Sequence, residues 1–324
     1  MASATLLKNL RNNYFLFSFK GGGQRGLITS CFLKSLEDFL RCPILDAFDR
    51  DKIMFGGTST GALIAGGLAT GMSAAAIQDV YLHRTPEIFD HPPAVAEVWM
   101  LARGYRFYAQ NIYDVVQDIL GPAKDWKLND CPVRVLLTAV GPKRKMIYFV
   151  RDSPHNSRYS GQALLIDAMV ASAAASTYFS QWYVHPSGDN LLGWSKDGGL
   201  GGVANPILRL AVEAFEYDVF NPRTTRILCF GTGSFPANNV NPPTGLLATI
   251  QDAVDSLLDV ADDEQSRLVQ LMYKDTPVTY FDVALPRYVD EADLSARDLL
   301  LDLGTKAAAQ VNWELILAPY ERTT

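Results

Sequence analysis

Only four of the 324 residues are cysteine and only four are histidine. Cys31, Cys42, Cys131 and Cys229 lie far apart, form no Cys-x-x-Cys pair and have no histidine beside them to complete a metal site. They read as reduced thiols, and no metal or other cofactor is expected. An excess of positive charge is missing as well. The formal net charge of -6 argues against a polymer of DNA or RNA as partner, because such binders carry a basic face. No run reaches the roughly 18 apolar residues of a membrane span, since Gly, Ser or a charge interrupts each candidate. Met1 to Asn13 carries Lys8 and Arg11 and lacks a continuous apolar stretch ending at a small-residue cleavage site, so export is not signalled. The expectation is a cytoplasmic protein that touches membrane only peripherally. With 48% hydrophobic and 20% charged residues, the composition suits a globular chain with a large core.

What is present alternates between strand and helix signals. Tyr14 to Phe19 is a short apolar run ending at Lys20 and three glycines, which predicts a buried strand and a tight loop. From Ile28, apolar residues recur at Phe32, Leu36, Phe39 and Leu40 at helical spacing and stop before Pro43. Lys52 to Phe55 predicts a second strand, and the apolar segment Ala62 to Ala69 a buried helix. Val133 to Val140 and Met146 to Val150 predict strands joined through Gly141-Pro142 and the basic turn Lys143-Arg144-Lys145, a candidate contact for an anionic headgroup or nucleotide, though such turns are usually only solvated. Leu165 to Ala173 predicts a helix, Asn205-Pro206 opens another through Ala214, and Arg226 to Phe230 returns to strand. Helices are expected around Gly245 to Val260, Asp262 to Tyr273 and Ser295 to Leu317, the last capped by Ser295 and Asp298, with a strand at Val278 to Val283. His83 to Lys127 is the least patterned stretch and reads as an insertion over the sheet. Its Phe89, Trp99, Met100, Leu101, Tyr105, Phe107 and Tyr108 suit either a membrane-facing lid or, the favoured reading, core packing. The pattern predicts an α/β sheet covered on both faces, in one domain with a core over about 14–234 and a mainly helical part over about 245–324.

Three segments carry chemistry. Gly57-Thr58-Ser59-Thr60-Gly61, between a strand and a buried helix, fits a nucleophile elbow: a sharp turn presents Ser59, and the flanking glycines let strand and helix approach. Gly21-Gly22-Gly23-Gln24-Arg25-Gly26 offers backbone N–H groups to a developing oxyanion. It also fits a dinucleotide-binding Gly-x-Gly-x-x-Gly, with Asp46 or Asp49 near the spacing of a ribose-binding acid. Asp197-Gly198-Gly199 supplies a loop-held carboxylate able to take a proton from a serine hydroxyl. None of His83, His91, His155 and His185 sits in a triad context, which favours a Ser-Asp pair over a three-residue site.

The order of glycine loop, Gly-Thr-Ser-Thr-Gly elbow and distant Asp-Gly-Gly resembles the patatin-like phospholipase family. Ala171 to Phe179, Val203-Ala204-Asn205-Pro206 and Phe230-Gly231-Thr232-Gly233 resemble further family segments, and the similarity spans about Phe15 to Ser234. The resemblance implies a three-layer patatin-like fold with a central, mostly parallel sheet flanked by helices. It further implies a lipid acyl hydrolase with Ser59 as nucleophile, Asp197 as base and an oxyanion hole at Gly21, Gly22 and Gly23, in which Gly22 and Gly23 supply the N–H groups. Arg25 and Thr60 are candidates for supporting the loop or touching substrate. Lys20 departs from plant patatins, which have Asp there. The implied substrate is membrane phospholipid. Some compact bacterial members are antiphage effectors switched on by cyclic oligonucleotides, so such an activator is a candidate partner, as is a second copy of the chain. Two readings from other classes stay open: a dinucleotide-binding oxidoreductase using Gly21, Gly23 and Gly26, and a catalytically silent binding protein.

Overall fold

The computed structural model describes residues 2–91, 93–152, 160–185, 193–235 and 260–318. Ten strands occur among them: β1 (Tyr14–Phe19), β2 (Ile53–Gly57), β3 (Tyr105–Phe107), β4 (Arg134–Val140), β5 (Met146–Val150), β6 (Thr177–Phe179), β7 (Trp182–Tyr183), β8 (Trp194–Asp197), β9 (Thr225–Phe230) and β10 (Val278–Phe281). Eight form one sheet in the order β10-β9-β1-β2-β4-β8-β7, with β5 also paired to β4. The five strands from β10 to β4 run parallel, whereas β5, β7 and β8 add antiparallel pairings. β3 and β6 form a separate parallel pair.

Period-two alternation in the central strands sorts their side chains onto two faces. Phe15, Phe17 and Phe19 of β1, Phe55 of β2 and Phe230 of β9 enter one core, covered by helices Gly26–Leu40, Thr60–Ala69, Leu165–Ala173 and Arg297–Ala308. Leu16, Met54, Ile227 and Cys229 from the same strands enter the opposite core, where Ile207, Leu210 and Ala211 of helix Ile207–Glu216 and Val269 of the helix at 260–272 cover them. Two helical layers therefore enclose a mostly parallel sheet, as the alternation of elements predicts. Both faces of β1 being buried explains why its sequence is apolar at five of its six residues rather than alternating with polar ones.

Three predictions need correction. His83 to Lys127 is not an irregular insertion: it holds helices Thr85–Ile88, Pro93–Arg103 and Ala109–Leu120 besides β3. Its large apolar residues divide, for Phe89 and Phe107 are buried while Leu101 and Tyr108 are exposed. Second, the stretch from Ser295 to Leu317 is two helices, Arg297–Ala308 and Trp313–Leu317. Third, Asp293 rather than Ser295 makes the capping contact there, accepting from the Ser295 N–H at 3.1 Å. Gly245 to Asp259 of the predicted helix lie outside the described residues. The basic turn at Lys143 to Lys145 is exposed, no described helix is long and apolar enough to cross a membrane, and all four cysteines are free.

The parallel register decides where chemistry can occur. Phe19 of β1 is level with Gly57 of β2 and with Phe230 of β9, so the loops after all three strands emerge together at one end of the sheet. That convergence requires two glycines. A Cβ on Gly57 would stand 2.1 Å from the Gly61 carbonyl oxygen, and one on Gly61 would stand 2.2 Å from that of Phe19. Gly61→Ala is therefore expected to cost about 3 kcal/mol or more, because the obstruction is backbone that cannot move aside. Chemical denaturation monitored by circular dichroism checks this, and a midpoint equal to the parent's would contradict the packing described.

Candidate active site

Ser59 sits at the tip of the turn between β2 and the helix Thr60–Ala69, with φ 57° and ψ -128°, a conformation that glycine adopts freely and L side chains do not. The strain is held in place from outside the turn. The Ser59 N–H donates to the Ser172 hydroxyl at 3.1 Å, and the Thr58 hydroxyl pairs with that of Thr138 at 2.7 Å. Ser59 keeps only 9% of its surface exposed, and what remains opens into a cavity of about 770 Å³.

Asp197 reaches the same cavity from β8, whose pairing with β4 sets it opposite Ala139. Its N–H donates to the Ala174 carbonyl at 3.0 Å, so the short stretch from Ser172 to Ala174 anchors the backbone of both residues. The carboxyl is 4% exposed. Burial pushes its pKa up to about 7. The Ser59 hydroxyl and the Gly199 N–H, the latter at 2.7 Å from Oδ1, hydrogen-bond to the charged form and pull it back, while the negative charge of Glu291 pushes it up further. Ser59 and Asp197, 138 positions apart in the sequence, are thus brought together.

The three loop glycines are not equivalent. The Gly21 N–H already donates to the Ala204 carbonyl at 2.9 Å, and the Gly21 carbonyl accepts from Thr232 at 2.7 Å. Gly21 therefore fixes the loop and has no N–H left for an oxyanion, a correction to the expected three-glycine hole. Gly22 and Gly23 make no backbone N–H hydrogen bond among the described residues. Neither accepts a side chain: a Cβ would meet Thr232 Oγ1 at 2.4 Å from Gly22 and the Glu291 carbonyl oxygen at 2.5 Å from Gly23.

Arg25 supports this loop, donating to the Gly22 carbonyl and to Glu291 at 3.3 Å each and lying over the Phe235 ring. Thr60 pairs through its hydroxyl with Tyr81, which ties the elbow to the neighbouring helix Ala74–His83. Lys20 forms an ion pair with Asp262 at 2.6 Å, so its charge is neutralised at the loop. Sequence reasoning missed Ser172, Glu291 and Asp262. Ser172 looked like one small residue among alanines, and the two acids come from the C-terminal part, where no motif marks them.

Of the described histidines, His83, His91 and His185, none lines the cavity shared by Ser59 and Asp197, and no group of side chains there is arranged to hold a metal ion. His155 lies outside the described residues. Asp46 and Asp49 precede β2 and so stand at the end of the sheet away from the glycine loop, where no ribose acid could serve it.

The family model for patatin-like phospholipase matches residues 17–210. The chain belongs to that family. A cGAMP-activated phospholipase of Vibrio cholerae is 31% identical over 213 residues, covering 61% of this patatin-like chain and 56% of that protein, so the chain spans about half the length of that relative. A cGAMP-activated phospholipase of Pseudomonas aeruginosa is 25% identical over 324 residues, covering 95% and 91%. A cUMP-AMP-activated phospholipase of Escherichia coli is 26% identical over 276 residues, covering 81% and 78%. Membership supersedes the dinucleotide-binding oxidoreductase reading.

Two predictions follow from strain and burial. Ser59→Gly should be more stable than Ser59→Ala by about 1 kcal/mol or more, since both remove the hydroxyl and only glycine relaxes at this φ. Equal unfolding midpoints would show that the turn stores no strain. For Asp197, the folded-state pKa of about 7 stands well above that of an exposed aspartate, about 3.9, so its contribution to stability is full below about pH 4 and is lost as pH rises through 7. Asp197→Asn, which cannot ionise, should melt near the parent's temperature at pH 4 and clearly above it at pH 8; a gap that is constant with pH would refute the buried carboxylate.

Proposed function

We propose that this protein is a phospholipase A-type lipid acyl hydrolase that cleaves acyl esters of membrane phospholipids with Ser59 and Asp197 as its catalytic pair. One observation carries the reading: a strained, nearly buried serine and a buried carboxylate poised near neutrality face each other beside two uncommitted glycine amides.

Ser59 Oγ attacks the ester carbonyl carbon while its proton passes to the Asp197 carboxylate. The carbonyl oxygen, now an oxyanion, accepts from the Gly22 and Gly23 N–H groups. Collapse breaks the bond to the lysophospholipid oxygen, which takes the proton from Asp197 and leaves an acyl-Ser59. Water then attacks that ester and gives a proton to Asp197, and collapse returns the proton to Ser59 Oγ as the fatty acid departs. A pKa near 7 suits a group that must both take and return a proton at neutral pH.

The names of the relatives support a cyclic dinucleotide as activator, and we propose one for this chain. Peripheral action on a membrane from the cytoplasmic side belongs to the same reading. It is supported by the helix Pro93–Arg103, where Val95, Val98 and Leu101 are exposed along one face. Phe89, Phe107 and Phe179 form an aromatic cluster, and Phe89 and Phe179 line an apolar pocket that also touches Ser59.

Release of fatty acid from phosphatidylglycerol vesicles, measured with and without cGAMP, tests the reading. Ser59→Ala should abolish release and fluorophosphonate labelling, and Asp197→Asn should lower the rate by about 10²-fold or more. The parent's rate should rise tenfold per pH unit below about 7 and level off above it, and Glu291→Gln should move that limb to lower pH by removing a charge that raises the Asp197 pKa. Labelling that persists in Ser59→Ala would locate the nucleophile elsewhere.

A further inference from the structure

Beside the polar cavity at Ser59 lies a second, almost wholly apolar one of about 470 Å³, which also touches Ser59 and runs between the helices Thr60–Ala69 and Ala74–His83. A third cavity of about 440 Å³ lies beyond it, bounded by Met72, Val116 and Ile119 among others. Leu63, Tyr81, Thr85 and Ile88 line both, so the two are separated only by side chains that each cavity shares. The polar groups of this partition are already used. The Tyr81 hydroxyl pairs with Thr60, and the Thr85 hydroxyl donates to the Tyr81 carbonyl at 2.9 Å, which leaves apolar surface facing both sides. Both pockets are partly open and walled almost wholly by apolar atoms, a surface that favours an apolar occupant over water. The rear cavity is nearly as large as the front one and has no access to a charged or hydrogen-bonding group of the partition.

Resting on the acyl hydrolase reading, we infer that the rear cavity receives the distal half of a long acyl chain, and that Leu63 and Ile88 at the partition set the chain-length preference. A short acyl group ends in the front cavity. A long one passes the partition and buries its remaining methylenes, each contributing roughly a fourfold factor in affinity. The enzyme therefore prefers esters of long-chain over short-chain acids, and the preference is set by Leu63, one turn beyond Ser59 on the same helix, and by Ile88 across the partition.

Labelling rates with butyl and hexadecyl fluorophosphonates test this, because the probe's alkyl chain stands in for the acyl chain and Ser59 reports both. Ile119→Trp, which fills the rear cavity from a half-buried position, should lower the hexadecyl-to-butyl ratio at least tenfold. Ile88→Ala, which widens the partition, should raise it. A ratio within twofold of the parent's in both variants, with Ser59 still labelled, would overturn the rear cavity's role and leave the hydrolase reading standing. Absence of Ser59-dependent labelling by either probe in the parent would overturn that reading and this inference with it.

Discussion

A carboxylate taken out of water is the constraint around which this molecule is arranged. Asp197 carries almost no exposed surface and is relieved by two donors, the Gly199 N–H and the hydroxyl of Ser59. Desolvation of that kind makes a carboxyl hold its proton far more strongly than in water. A serine beside such a group faces a base strong enough to take its proton, which an exposed aspartate would not be. On the proposed reading, burial gives Asp197 the proton affinity that an imidazole brings to a triad.

Holding that arrangement is the work of backbone more than of side chains. The parallel pairing of β1 and β2 brings the glycine loop and the elbow to the same level, and Gly57 and Gly61 permit the contact. Ser172 and Ala174 then fasten the backbones of Ser59 and Asp197 to a single helix end. Both anchors bond backbone N–H groups, so a shift in either would move the Ser59 hydroxyl relative to the Asp197 carboxyl.

Much of this was legible in the sequence because the signals are local. The apolar run of β1, the glycine-flanked Ser59 and the Asp-Gly-Gly at the end of β8 each mark their structure within a few residues. The three-layer fold follows from their alternation. What escaped was long-range or negatively marked. The region from His83 to Lys127 reads as irregular because Pro86, Pro92, Pro93 and Pro122 stand at or between the starts of its helices and mask their spacing, although Ile112, Val115 and Val116 are buried. Gly21 looked like an oxyanion donor, but only the coordinates reveal that Ala204 has already claimed its N–H. Glu291 sits some 90 residues beyond Asp197, and nothing in the intervening sequence announces that the two charges interact.

The contacts of Lys20 with Asp262 and of Arg25 with Glu291 have a wider consequence. Both acids lie outside residues 17–210, the part that the family model recognises. The charges that steady the glycine loop therefore come from a segment that carries none of the motifs, so the motifs alone do not determine how the loop is held. A chimera that kept this core and borrowed its C-terminal segment from a relative would inherit the motifs intact but keep the two ion pairs only where that segment carries acids matched to Lys20 and Arg25.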